Sequence, residues 1–361
     1  MRRLYILTLC SIALAVATYY KSGSASRTAA PAEGQIVPTA WLHSSESPVT
    51  PAASIRSGDQ TFLTFPEWYL VFSPQEQAEY FTHHTSSGFP FMSHVRQFWN
   101  SYSIVGDQIA NDFPSNTGYH LMIWVIGSST TIEYAIKQGY ETVVGRLTNT
   151  ETPVTDEDRF NATYTADYVR FIKDRPWYEY DFLSQLGSLW NNASFFGDHP
   201  VRKLERKYWL SSELLAKWLY GKVITLGTKA VYEEEAMSTV VVVDSVYAIS
   251  PGVTIVKQNP DHTTTLSLPR YDRFIEPAVS LSLAGSRFQE IAGNRTAIVV
   301  SVIIPASMTM NIGNAKRLFS QPISSEAGKE RVALVIPVPQ LHELLRSLSE
   351  QHIVIEHIFD F

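Results

Sequence analysis

Cysteine is almost missing from this chain: the single one, Cys10, lies inside an apolar run near the N-terminus. Everything beyond that run is thiol-free, which excludes disulfides, a cysteine nucleophile and cysteine metal ligands from the body. Cys10 stands near the start of the run and not at its end, where a lipid-acceptor cysteine belongs, so lipid attachment is not expected. Nucleotide and hydrolase signatures are missing too: there is no G-x-G-x-x-G, no G-x-x-x-x-G-K-[ST] and no G-x-S-x-G. No cofactor is expected. Positive charge is in deficit, with 29 Lys and Arg against 35 Asp and Glu and a net charge of -6, which argues against nucleic acid as a partner.

What is present begins with an address. Met1, Arg2 and Arg3 precede an apolar run from Leu4 to Tyr20, followed by Lys21 and small residues from Ser22 to Ser26. This is the order of a secretory signal or a signal anchor. The run exceeds an ordinary signal core and approaches the lower limit for a span, with Tyr19 and Tyr20 where interfacial aromatics belong. Neither Ala17 nor Ser26 completes a good A-x-A cleavage site, so a retained anchor over residues 1–21 is the preferred reading. It makes the membrane a partner through residues 4–20 and places the body outside the cytoplasm. Cleavage would leave that body periplasmic or secreted. Residues 22–58, rich in Ser, Ala, Pro and Thr, read as a flexible tether.

At 361 residues and 45% hydrophobic side chains, the remainder can bury a proper core in two units. The expected class is α+β: a mainly helical, aromatic-rich domain over 59–237 and a sandwich over 238–361. In the first, Ser73-Pro74-Gln75-Glu76 reads as a helix start with Ser73 as N-cap. Further helices are expected over His120 to Lys137, with Val125, Ser129, Ile132 and Ile136 on one stripe, over Asp167 to Lys173, and from Pro200 onward. The last carries Val201, Leu204, Tyr208 and Leu215 opposite Arg202, Lys203, Arg206 and Lys207. In the second unit, Thr239 to Val243 and Val253 to Lys257 read as a strand pair around Ser250-Pro251-Gly252. Apart from one extra strand and the loop, the order strand 264–268, helix 273–284, strands 287–292 and 297–304, loop 307–329, strand 331–337, helix 339–351, strand 353–361 is that of a ferredoxin-like β-α-β-β-α-β sandwich. All eight tryptophans fall at or before Trp218, so a ligand groove or membrane contact is expected in the helical half.

The chemistry is weakly marked. His83, His84 and His94 form the densest histidine group, but adjacent histidines diverge and no acidic partner has a useful spacing, so no metal site is expected. His352 to Glu356-His357 carries one residue too many for H-x-x-E-H. Phe65-Pro66-Glu67-Trp68-Tyr69 sets a carboxylate among rings, which could raise its pKa, although a turn with packed aromatics is the plainer reading. Glu133 stands in an apolar helix with Lys137 four residues on, the spacing of a surface ion pair. The helix from Val201 carries Trp209 and Trp218. It could lie on an anionic bilayer, but a packed helix with a solvated charged face is preferred.

Three functions follow as expectations. The first is an envelope protein that binds an apolar ligand, lipid or membrane partner without catalysis, with Trp68, Trp209 and Trp218 as contacts. The second is a membrane-tethered hydrolase using Glu67, His94 and Glu133 for acid–base chemistry. The third is a scaffold for protein partners.

Overall fold

Aromatic residues spaced three and four apart draw the first half of the chain into helices. The computed structural model describes residues 35–45, 48–150, 152–194, 196–228, 237–247 and 249–360. The expected anchor and the first part of the tether lie outside the described residues. Among the described residues no helix is long and apolar enough to cross a membrane.

The helices are α1 (Gln60–Glu67), α2 (Tyr69–His83), α3 (Phe91–Ile109), α4 (Thr117–Tyr140), α5 (Asp156–Ile172), α6 (Phe182–Asn192) and α7 (Pro200–Thr228). Two boundaries differ from expectation. The helix read as starting at Ser73 begins at Tyr69 and runs through Pro74; Ser73 is buried, and its hydroxyl meets that of Tyr134 at 2.7 Å instead of capping. Burial of Tyr69 and Phe72 in the aromatic core offsets the hydrogen bond that an interior proline removes. The helix read from Asp167 starts at Asp156, because Thr155 caps it, accepting the backbone N–H of Asp158, and Asp156, Glu157 and Asp158 fill the first turn.

The largest departure concerns α7. Its cationic face, expected in solvent, is buried: Arg202, Lys203, Arg206 and Lys207 are only 1–5% exposed, while Val201, Leu204 and Tyr208 are 65–68% exposed. The acids that permit this come from other helices. Arg202 pairs with Asp158 at 2.8 Å, Lys203 with Asp156 at 2.9 Å, and Arg206 with Glu141 at 2.6 Å. Turning α7 by half a rotation would bury apolar side chains worth about 1.5–3 kcal/mol each. It would also spare a desolvation cost of several kcal/mol per ion. The register adopted is therefore set by the acids on α5 and on the π-helical turn Glu141–Gly145 that extends α4.

Beyond Met237 the β-branched runs make two sheets. The first contains β1 (Ser238–Val243), β2 (Thr254–Gln258), β3 (Thr264–Pro269) and β4 (Phe288–Ile291), in the order β2-β3-β1-β4. The second contains β5 (Ala297–Pro305), β6 (Lys316–Pro322), β7 (Lys329–Pro337) and β8 (Val354–Ile358), in the order β6-β7-β5-β8. All pairings are antiparallel. One helix, α8 (Ile275–Ala284), joins β3 to β4, and α9 (Leu341–Glu350) joins β7 to β8. The second half is thus one β-β-β-α-β unit used twice, with the third and fourth strands flanking the first in a split β-α-β arrangement.

This corrects the single ferredoxin-like sandwich. The five strands read as one sheet are shared between two, and β6 lies in the segment read as a loop. The expected pairing of β1 with β2 is also replaced, since β3 lies between them. The cause is the turn after β4. Ala292 and Gly293 both have positive φ, and the chain leaves one sheet there for the other.

One core joins the halves of this duplication: Val241, Leu266 and Leu268 of the first sheet, Val300, Val302 and Leu334 of the second, and Ala278 and Leu344 of the helices. The other face of the second sheet, through Val299, Val335 and Phe359, packs on Phe62, Phe65 and Phe72. Residues from Gln35, placed by composition in the tether, lie on this body. Val37 and Leu42 enter the aromatic core, and Thr50 donates its N–H and hydroxyl to Glu290.

Candidate functional site

Two largely apolar strands each carry a buried charge. Arg331 opens the apolar stretch of β7 and Glu356 interrupts β8. Opposite β8, Ser301 faces His357 and Val302 faces Ile355, so Glu356 is the extra residue of a bulge. The bulge aims its carboxylate at Arg331, which donates from Nε and Nη2 at 2.7 Å each. Arg331 Nη2 also reaches Glu76 of α2 at 3.1 Å, and the guanidinium lies 4.3 Å over the ring of Phe72. Burial raises the pKa of the Glu76 carboxyl, and Arg331 opposes that rise.

His94 sits beside this cluster, stacked on Phe89 with ring centroids 4.8 Å apart. Burial, reinforced by Arg331, lowers its pKa to about 3. The ring is therefore neutral, and the 3.4 Å approach of Nε2 to Glu76 is not an ion pair. On the far side of α2, Trp68 lies against His357 with ring centroids 3.5 Å apart. Burial holds His357 well below the usual imidazole range.

In front of the Arg331–Glu356 pair, the helical half and the duplicated half leave a cleft of about 780 Å³. That is the size of a small-molecule site. Trp68, Val71 and Phe72 form one wall, Ile275, Val279 and Leu283 of α8 the other, and Ile303, Val354 and Ile355 the floor. Polar groups stand at its margins: Gln75, Glu276, Ser280, and Lys173 paired with Asp272 at 3.3 Å.

The residues proposed from sequence are distributed as follows. Trp68 lines the cleft. Trp209 stacks on Tyr140 at 3.9 Å, and Trp218 packs against the Tyr164, Leu210 and Leu214 cluster, so neither belongs to the outward stripe of α7. Glu67 accepts a hydrogen bond from the Tyr119 hydroxyl at 2.6 Å. Glu133 meets Lys137 at 3.0 Å and also Lys217 at 3.4 Å, and Glu213 joins both lysines. This four-membered cluster lines a cavity of about 60 Å³ with Tyr134, Tyr164 and Tyr168. Glu67, His94 and Glu133 are thus held by different partners. Among the described residues no group of three or more His, Cys, Asp or Glu is placed to hold a metal ion.

Sequence reasoning missed Glu76, Arg331 and Glu356. The available signal was an arginine at the edge of the apolar run V-A-L-V-I and a glutamate inside I-V-I-E-H-I, opposite charges on two strands. The cleft offers apolar walls, the paired Lys173 and Asp272, and the Glu356 carboxylate, which the buried Arg331 behind it already holds. That suits holding an apolar body with one polar end better than transferring a proton. No family model, no curated protein and no solved structure matches the chain.

Proposed function

We propose that this is a membrane-anchored extracytoplasmic protein that binds an apolar or amphipathic small molecule without catalysing its conversion. The observation that supports it best is the cleft: ligand-sized, walled by Trp68, Phe72, Val279 and Leu283, with a few polar groups, Glu356 among them, in its lining. The Leu4 to Tyr20 run supplies the membrane address, with the body outside the cytoplasm. The acid–base reading has weaker support, because Glu67, His94 and Glu133 each serve a separate local contact.

Native mass spectrometry of the full chain released in gentle detergent tests the proposal. The expected result is an added small-molecule mass on the wild type that is lost from Val279→Arg, which puts a charge into the cleft wall. A bare wild-type mass, or the same adduct on Val279→Arg, would exclude the cleft as a ligand site.

A further inference from the structure

The inverted helix α7 does not stand alone. It runs antiparallel to α4, and the two are joined by the Tyr140–Trp209 stack, by Lys137 to Glu213 at 2.9 Å, and by Lys217 to Glu133 at 3.4 Å. The contact from Arg202 to Thr148 closes the far end. Lys137, Glu213 and Lys217 of this seam are largely buried between the helices, and Glu133 is 40% exposed at its edge. Outward, α4 and the helical turns that extend it to Thr148 expose Leu121, Val125, Ile136, Val143 and Leu147, at successive steps of 4, 11, 7 and 4 residues that keep to one side of a helix. On α7 the exposed series is Val201, Leu204, Tyr208, Leu215, Leu219 and Val223. At 1.5 Å per residue the two stripes run roughly 39 Å and 33 Å.

A surface of this kind is the reverse of what water selects, with cations and acids inside and leucine and valine outside. It is the arrangement expected where the outer medium is hydrocarbon, since ionisable groups then face the protein interior. No acidic side chain lies on either stripe. Arg146 near one end of the pair and Lys222 near the other are exposed cations, the sign that anionic headgroups attract, while exposed Asp198 just before Val201 and the partly exposed Glu133 of the seam are the acids beside them.

The path of the chain points the same way. The first described residue, Gln35, donates to Asp112 at 2.8 Å, and Asp112 precedes α4 by only a few residues. The N-terminal segment therefore leaves the body at the beginning of one of the two helices of this face. Residues 21–34, which separate that point from the Leu4 to Tyr20 run, can reach at most about 50 Å when fully extended. A chain anchored by that run would hold its apolar face within reach of the same bilayer.

We infer that the outward faces of α4 and α7 are seated in the outer leaflet of the membrane, the helices lying in its plane and the charged seam acting as the inner wall. This rests on the anchoring of residues 4–20 proposed above and adds to it a second, extended contact that fixes the orientation of the cleft relative to the lipid.

Site-directed spin labelling of the full chain in vesicles of phosphatidylcholine and phosphatidylglycerol tests this inference. Cys10→Ala removes the native thiol, and single cysteines at Ile136, Leu204, Leu215 and Leu219 carry the label, with exposed Lys257 of β2 as the aqueous control. All are exposed positions, so the fold is not at stake. The expected result is a several-fold greater accessibility to oxygen than to a water-soluble nickel chelate at all four sites, at similar depth, with the opposite ratio at Lys257. Vesicle-bound protein whose four labels are as wet as Lys257 would leave the anchor standing and overturn the seat. Strong spin–spin broadening between copies would overturn it in favour of a dimer. Protein that does not float with the vesicles would overturn both readings.

Discussion

At the scale of single residues, the pair Arg331–Glu356 shows how a buried charge becomes a fixed point of a fold. The bulge in β8 serves the pair by turning Glu356 toward Arg331, and Glu76 closes the second side of the guanidinium. Arg331→Met would leave two carboxylates buried without their cation. It is expected to cost about 3–5 kcal/mol in urea unfolding at pH 8. The cost should shrink toward pH 5 as the Glu76 carboxyl, whose pKa burial raises, takes up a proton. Glu356→Gln, which leaves Arg331 with Glu76, is expected to cost less. Equal losses for the two would show that packing on Phe72 matters more than charge.

Asp360 gives a pH dependence of opposite sign to that of a paired carboxylate. Burial raises its pKa to about 7 in the fold, against an ordinary value of 3.8. Between these values the folded state holds a proton that the unfolded state has lost, so stability falls as pH rises from about 4 to about 7 and changes no further above that. Asp360→Asn removes this loss. Relative to wild type it is expected to gain on the order of 4 kcal/mol between pH 4 and pH 8. Chemical unfolding at a series of pH values measures it, and parallel curves for the two proteins would show that Asp360 is solvated in the native state.

At the scale of elements, α7 separates what a pattern in sequence can say from what it cannot. The two faces of the helix were legible, since Val201, Leu204 and Tyr208 recur against Arg202, Lys203, Arg206 and Lys207. Which face turns inward was not, because that depends on acids that arrive from other helices, Asp156 and Asp158 at the start of α5 and Glu141 beyond α4. The consequence is a reversed mutational pattern. Leu204→Gln is expected to change stability by no more than about 0.5 kcal/mol, as at any exposed site. Arg206→Leu, an exchange that hydropathy would call favourable, is expected to cost about 3–5 kcal/mol by stranding Glu141. Urea titrations of the two variants side by side decide it, and the reverse order would restore the outward-charged helix.

The strands were more readable than their pairing. Runs such as Val240 to Val243 and Ile298 to Ile304 mark strands by composition alone. Their division into two sheets depends on the left-handed turn at Ala292 and Gly293, which a one-dimensional reading takes for a hairpin. The duplication did leave a trace: Leu266-Ser267-Leu268-Pro269 and Leu334-Val335-Ile336-Pro337 end corresponding strands just before corresponding helices. The cleft had no such trace beyond Trp68. Its walls come from α2 and α8, some two hundred residues apart in sequence, and only the packing of the halves brings them together.

At the scale of the whole molecule, the question is whether two repeats and a helical half behave as three bodies or one. The repeats share a single core and are linked by helix packing, with Arg346 donating to the Ser282 carbonyl at 3.0 Å. The helical half covers the second face of one sheet, and residues 49 and 50 cross to the other sheet at Glu290. Neither repeat can therefore open without exposing core that the other half needs, which predicts one cooperative transition. The placement of the tryptophans makes this measurable. All eight lie at or before Trp218, so their fluorescence reports on the helical half and its strap, while circular dichroism reports on the whole chain. Leu266→Ala in β3 and Leu334→Ala in β7 each create a cavity far in sequence from any tryptophan. Each is expected to cost about 2–5 kcal/mol. If the molecule is one unit, each should move the fluorescence and dichroism transitions together and by the same amount. A fluorescence midpoint left in place by Leu266→Ala while the dichroism splits would mean that the first repeat unfolds alone. In that case the α8 wall of the cleft could part from the α2 wall without loss of the helical half.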